Sequence, residues 1–177
     1  LKQIFADIPA PVNAAKRNEE AVPDNEEPLV SIATDREAPA TTLFLFYKHD
    51  KLPREMAATI VGMEKDYVQA VCSAMMNERF DELLHQANPP FVYAEAADGN
   101  YMVARTKEAW TVAALVKEGA IDSTLTTMVM ETERLKQFGF TQSEYERARI
   151  NVLRQYESAY NERDNQPNSS YTTEYVH

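Results

Sequence analysis

A strand-forming segment with two apolar faces limits the folds open to this chain. The segment runs from Ala109 to Val116 (AWTVAALV). As a strand it divides its side chains between two faces, with Trp110, Val112, Ala114 and Val116 on one and Thr111, Ala113 and Leu115 on the other. Strands that are apolar on both faces are typical of the middle of a sheet. We therefore expect this segment to be a central strand.

One predicted strand pair precedes the helices. Leu29–Thr34 alternates and is rich in β-branched residues, and Thr41–Tyr47 is the most strand-prone run of the chain. Asp35–Ala40, which contains Pro39, is the expected turn between them.

A second pair of strands is predicted as a tight hairpin. Phe91–Ala97 and Asn100–Arg105 flank the dipeptide Asp98-Gly99. Because an Asp-Gly pair readily adopts the left-handed backbone of a two-residue turn, we expect the hairpin to reverse there.

A long helical pattern begins at Pro53, since proline lacks only an N–H that the first turn does not use. Pro89-Pro90 ends it. Gly62 costs about 1 kcal/mol relative to alanine inside a helix, so we expect a close packing contact there. The apolar stripe of this helix consists of Met56, Ile60, Met63, Tyr67, Val71, Met75, Phe80 and Leu83.

Two further helices complete the pattern. Gly119 and Gly139 bracket the first, with Gly139 at a cap position that favours positive φ. Thr141 and Glu144 form a capping box at the start of the second. The predicted buried residues are Ile121, Leu125, Met128, Val129, Thr132, Leu135 and Phe138 in the first, and Tyr145, Ala148, Val152, Tyr156 and Ala159 in the second. Hairpin-linked strands with such helices indicate an α+β fold, with a mostly antiparallel sheet and helices packed on one face.

The two ends of the chain differ from its middle. Leu1–Phe5 is typical of the last turns of a helix, and residues 6–28 carry four prolines and an acidic cluster. We expect 1–28 to be the end of a preceding domain and an extended linker, with an acidic docking strip as the alternative. Residues 29–165 then form one α+β domain and 166–177 a tail. This organisation predicts a piece of a longer protein.

Charge and hydropathy exclude two classes of partner. The 177 residues carry a formal net charge of −10, and the isoelectric point is about 4.8. Such a chain repels nucleic-acid phosphates, so no nucleic-acid partner is expected. There is no apolar run of about 18 residues, so no membrane span is predicted.

The chemistry-bearing residues do not form a recognisable motif. No two of His49, His85 and His177 have the i, i+4 spacing of a helical zinc site, and Glu82-x-x-His85 supplies only two ligands. Cys72 has no histidine near it in the sequence, so we expect a packed thiol rather than a nucleophile. The sequence therefore predicts no catalytic residue and no metal ligand.

Several segments, in this order, resemble the pitrilysin/insulinase family of zinc metallopeptidases. Leu1–Val12 is similar to the F-x-x-I-P run that ends the family's zinc-bearing domain. The predicted strand pair over 29–47, followed by a helix that ends in Met76–Leu83, resembles the family's strands and long helix with its S-R-L-x-x-x-L-like ending. Tyr93 lies in the strand after it. Leu135–Arg149 (LKQFGFTQSEYERAR) matches the family's helix–G-x-T-x-x-E signature.

The resemblance implies a domain without the family's catalytic site. In the family, four such α+β domains form two halves that enclose unfolded peptides. The zinc site is an H-x-x-E-H motif with a later glutamate, and it lies in the preceding domain. That motif is absent here, so no cofactor is expected in this segment and zinc is implied only for the parent protein.

The resemblance also implies the partners of this domain. The family's far half holds substrate with an arginine and a tyrosine. Tyr93 falls near the tyrosine position, but Leu84 or His85 stands where the arginine would be. This departure favours the second domain of the catalytic half, which packs on the zinc-bearing domain, meets the second half of the chain and walls the chamber for a peptide or unfolded protein. Tyr93 is its candidate chamber residue.

Two other functions stay open from the sequence. The alternatives to a peptidase domain are an independent protein-binding module and an inactive core-type subunit of the same fold. Its compartment is also open, periplasmic or cytoplasmic, because any targeting signal would lie upstream.

Overall fold

The computed structural model describes residues 7–9, 12–15 and 18–171 of the chain. Within these residues, three strands form an antiparallel sheet in the order β1-β3-β2. The expected α+β class is confirmed. The elements are β1 (Thr41–Asp50), α1 (Arg54–Ala57), α2 (Ile60–Leu84), β2 (Phe91–Asn100), β3 (Lys107–Val116), α3 (Ile121–Phe138), α4 (Gln142–Asn161) and a 3₁₀ turn (Arg163–Asn165).

The central position of β3 is confirmed. Along one edge it pairs with all of β1, from Thr41 opposite Val116 to Asp50 opposite Lys107. Along the other edge it pairs with β2, with an irregularity between Phe91 and Tyr93. Apolar side chains on both faces of β3 therefore lie between those of its neighbours, as a central strand requires.

The strand predicted at 29–34 is wrong. Residues 18–40 contain no strand, and Val30 and Ile32 are more than four-fifths exposed. The turn after this segment does form, because the Ala38 amide donates to the Asp35 carbonyl at 3.3 Å. A β-branched sequence favours extended backbone, but a strand also needs a partner, and the sheet begins only at Thr41.

The predicted Asp98-Gly99 turn is also wrong. Both residues lie inside β2, opposite Trp110 and Ala109. The chain reverses instead over 101–106, where the Tyr101 amide donates to the Lys107 carbonyl at 2.9 Å. Pairing along the full length of β3 outweighs the local turn preference of the dipeptide.

The helices cover one face of the sheet. Helix α2 lies over β2, α3 packs against β3 and β1, and α4 packs against α2. The core between them includes Met76 and Phe80 of α2, Phe91 and Val112 of the sheet, and Met128 of α3, all fully buried. Phe80 and Phe91 meet edge to face with ring centres 6.1 Å apart. Burying each such side chain stabilises the fold by about 1.5–3 kcal/mol.

The helical stripes are only partly buried. In α2 the second half of the stripe is in the core, whereas Ile60 and Met63 are 71% and 69% exposed. In α3, Ile121, Leu125 and Val129 are 39–51% exposed, and Phe138 is 79% exposed. The expectation that these residues are all buried is therefore wrong. Periodicity shows which side chains share a face, but it does not show how much of that face finds a neighbour.

Local signals fix the helix ends. The single helix expected from Pro53 is divided into α1 and α2, and a Cβ on Gly62 would overlap the Ala57 carbonyl oxygen. The close contact expected at Gly62 is thus confirmed. Gly139 has φ +66° after α3, and Thr141 and Glu144 form the predicted capping box.

Candidate functional site

The side of the sheet that the helices do not cover is the open face. Its residues follow from the strand register, because opposed residues share a face and the face alternates along each strand. Leu43 and Leu45 point to the helical core, so their neighbours point away from it. The open face consists of Thr42, Phe44 and Phe46 of β1, Thr111, Ala113 and Leu115 of β3, and Tyr93, Glu95 and Ala97 of β2.

Aromatic rings line one side of the open face. Phe44 stacks on Phe46 with ring centres 5.8 Å apart, and Phe46 meets the edge of Tyr101 at 5.3 Å. Phe44 and Phe46 remain 53% and 37% exposed. Contiguous exposed apolar side chains are typical of binding surfaces. This row can accept the apolar side chains of an extended polypeptide.

Tyr93 lies on the opposite edge of the same face. It pairs with Leu115 across β2 and β3, and its side of the sheet leaves it 49% exposed. Its hydroxyl donates to Glu95 Oε2 at 2.7 Å, and this hydrogen bond raises the pKa of Tyr93. The structure therefore places Tyr93 on a solvent-facing apolar surface. A role for it in binding substrate stays a prediction.

An acidic N-terminal segment closes one end of the open face. Lys107 Nζ lies 2.7 Å from Asp24 and 2.8 Å from Asp50, and these carboxylates raise the pKa of Lys107. The Thr106 hydroxyl also donates to the Glu20 carbonyl at 2.7 Å. Part of the stretch predicted as a linker is thus held against the sheet by its charge.

A histidine and two carboxylates meet on the helix-covered face, near the end of β1. His49 lies in β1, one residue before the end of the strand. A ring nitrogen of His49, a carboxylate oxygen of Asp98 and a carboxylate oxygen of Glu108 all lie within 4.8 Å of one another. Sequence spacing missed this group because its members come from three strands, at positions 49, 98 and 108.

The other chemistry-bearing residues considered from the sequence, Glu82, His85 and Cys72, lie outside this group. His85 follows α2, and its Nδ1 lies 2.6 Å from the Asp81 carbonyl. Glu82 and His85 line an open surface groove together with Arg147. Cys72 is half-buried against the contact between α2 and α4, where burial raises the pKa of its thiol. This agrees with a packed thiol.

A buried ion pair joins α2 to the turn between α3 and α4. Arg79 of α2 binds the Glu144 carboxylate through two nitrogens, at 2.6 and 3.1 Å. Arg79 also donates to the Gly139 carbonyl at 2.9 Å. Arg79 and the Thr141 capping bonds together hold the pKa of Glu144 at about 2. The pair fixes α2 to the turn between α3 and α4.

The fold matches part of a solved protease. The structure is similar to that of the periplasmic protease PqqL from Escherichia coli, with a TM-score of 0.66 and 13% sequence identity. The match covers 80% of this chain and 15% of that protein. At this identity the likeness establishes the fold. The chain thus has the fold of a domain-sized part of a protease.

No protein-family model matches the chain, and no curated protein matches it. Among the residues that the structure describes, no helix combines the length and apolar character needed to cross a membrane.

Proposed function

We propose that this chain is a non-catalytic domain of a larger zinc metallopeptidase of the pitrilysin/insulinase type. The observation that carries the proposal is the likeness to PqqL, which covers 80% of this chain but only 15% of the protease. A match of this kind is expected of one domain in a larger peptidase. In this proposal the domain is the second one of the catalytic half.

The residues of the chain support a structural rather than a hydrolytic role. The sequence contains no H-x-x-E-H motif, so its residues do not fit the family's zinc site. Zinc and the catalytic glutamate would lie in the preceding domain, and this domain would hold that domain in place and wall the chamber.

Exposed apolar side chains support packing against other domains. Ile60, Val61 and Met63 at the start of α2 are 71%, 41% and 69% exposed. Clusters of exposed apolar residues mark interaction surfaces. We assign this helical side to the preceding domain and to the second half of the parent chain.

The open face is the proposed chamber wall. Phe44, Phe46 and Tyr93 offer rings to a peptide lying across the strands, and the small side chains of Thr111 and Ala113 leave room between them. The formal charge of −10 favours basic peptides through long-range attraction. The substrate class would be peptides or unfolded proteins.

The complete reading frame tests this proposal. We expect an H-x-x-E-H motif about 150–200 residues upstream of Leu1, one domain away. In the encoded protein, a photoreactive residue at Phe44 should capture a labelled unfolded peptide. The same residue at Val103, which is 97% exposed in the loop after β2, should not. A reading frame without the motif would favour an independent binding module. Equal capture at both positions would contradict the assignment of the open face as a chamber wall.

A further inference from the structure

Three donor side chains from three adjacent strands converge on the helix-covered side of the sheet. His49 of β1 lies directly opposite Glu108 of β3. Asp98 of β2 lies on the same face and reaches His49 across β3. Their ligand atoms lie within 4.8 Å of one another. Strand register, rather than a flexible loop, holds this group together.

The orientation of His49 leaves an unmatched lone pair. Its Nδ1 lies 3.1 Å from the Asp50 carbonyl oxygen, which can only accept, so the proton of a neutral ring belongs on Nδ1. Nε2 then directs its lone pair at the Asp98 carboxylate, 3.0 and 3.2 Å from its two oxygens. A lone pair and a carboxylate repel each other at that distance. A positive charge between them, a metal ion or a proton, makes the arrangement favourable.

The surroundings of the group strengthen its charge interactions. The side chains of Asp98 and Glu108 are only 12% and 14% exposed, and that of His49 is 35% exposed. Lys65 of α2 forms an ion pair with Glu108. Cys72 of the same helix is not one of the three donors.

We propose that His49, Asp98 and Glu108 bind one divalent transition-metal cation of the zinc class. One imidazole nitrogen and two carboxylate oxygens suit such borderline cations. Metal–ligand distances are about 2.0–2.2 Å in these sites, so the side chains must draw together slightly around the ion. The Nδ1 bond to Asp50 is the outer contact that orients a ligating histidine.

The proposed cation would have a structural effect. It would cross-link β1, β2 and β3 at one end of the sheet, and Lys65 would release Glu108 to admit it. This site is independent of the peptidase proposal, because none of its residues belongs to the family's zinc motif.

The test is titration of the 177-residue chain with Zn²⁺ alone. Calorimetry should show one bound ion per chain, and Zn²⁺ should raise the melting temperature. His49→Gln and Asp98→Asn should each weaken binding about tenfold or more. His85→Gln is the matched control and should leave the affinity unchanged. Absence of stoichiometric binding, or loss of binding in this control instead, would overturn the proposal.

The variant Lys65→Met distinguishes a change in metal binding from a loss of folding. Removing the competing ammonium should raise the Zn²⁺ affinity about threefold or more, a gain that unfolding cannot produce. Unchanged or weaker binding in a Lys65→Met variant that retains the circular dichroism of the wild type would contradict Glu108 as a ligand. Unchanged binding in His49→Gln would show that the charge facing Nε2 is only a proton.

Discussion

Arg79 Nε lies 2.6 Å from Glu144 Oε1, although the two residues are 65 positions apart in the chain. Both side chains are almost completely buried, and the Arg79 guanidinium also lies over the Phe140 ring, 4.7 Å from its centre. Arg79 and Glu144 lie in two of the segments on which the resemblance to the peptidase family rests. Their pairing joins the long helix to the turn before α4.

The ion pair should be essential for stability. Arg79→Met leaves the Glu144 carboxylate buried without its partner, and such a loss costs about 3–5 kcal/mol. Urea unfolding followed by circular dichroism measures the effect. Arg147→Met, which removes a pair with Glu78 from a side chain that is 51% exposed, should cost less than about 1 kcal/mol. Equal costs in the two variants would refute a special role for Arg79.

The same pair predicts how stability depends on pH. The pKa of Glu144 is about 2 in the folded chain, below its ordinary value of 4.5. Because the folded pKa is depressed, the stabilisation is complete above pH 4.5 and is lost as the pH falls toward 2. The ionised Glu144 carboxylate thus contributes about 3 kcal/mol to the free energy of unfolding at neutral pH. The difference in unfolding free energy between the wild type and Glu144→Gln should shrink over that range, and a constant difference would contradict the assignment.

Gly62 should not tolerate a side chain. Alanine is the better helix former by about 1 kcal/mol, but its Cβ would overlap the Ala57 carbonyl at the break between α1 and α2. Gly62→Ala should therefore lower the unfolding free energy by about 1–3 kcal/mol. Gly99→Ala is the matched control, since a Cβ there meets nothing within 4 Å. A Gly62→Ala variant as stable as this control would mean that the contact is not made.

The open face should bind apolar probes through its phenylalanines. The double variant Phe44→Ser/Phe46→Ser removes two stacked, half-exposed rings, so fluorescence of the dye ANS with the folded chain should fall severalfold. The unfolding free energy should fall by less than about 3 kcal/mol, because each ring is only partly buried. Val103→Ser removes one exposed side chain from the loop after β2 and should leave the fluorescence unchanged. Equal fluorescence in all three proteins would argue against a binding surface there.

Local sequence signals predicted the parts of the fold that depend on few neighbours. The capping box at Thr141, the positive φ of Gly139 and the contact at Gly62 each follow from the backbone within a few residues. The central position of β3 also followed from the sequence, because the side chains on both faces of a central strand are flanked by those of two neighbouring strands.

The errors arose where distant parts of the chain decide the outcome. Val30 and Ile32 favour a strand, but no strand forms there. Asp98-Gly99 favours a turn, yet pairing with β3 keeps it in a strand. The group around His49 depends on the register of three strands, so no linear spacing could indicate it. Tyr93 was selected by family resemblance, whereas Phe44 and Phe46 were detectable only as the second apolar face of β1.

Peptide hydrolysis tests the central claim most directly. The 177-residue chain, supplied with Zn²⁺ and a quenched fluorescent peptide, should show no cleavage above the rate without protein. The protein encoded by the complete reading frame should cleave the peptide and lose this activity when the glutamate of its upstream H-x-x-E-H motif is changed to glutamine. Cleavage by the 177-residue chain alone would contradict the claim that this domain is non-catalytic.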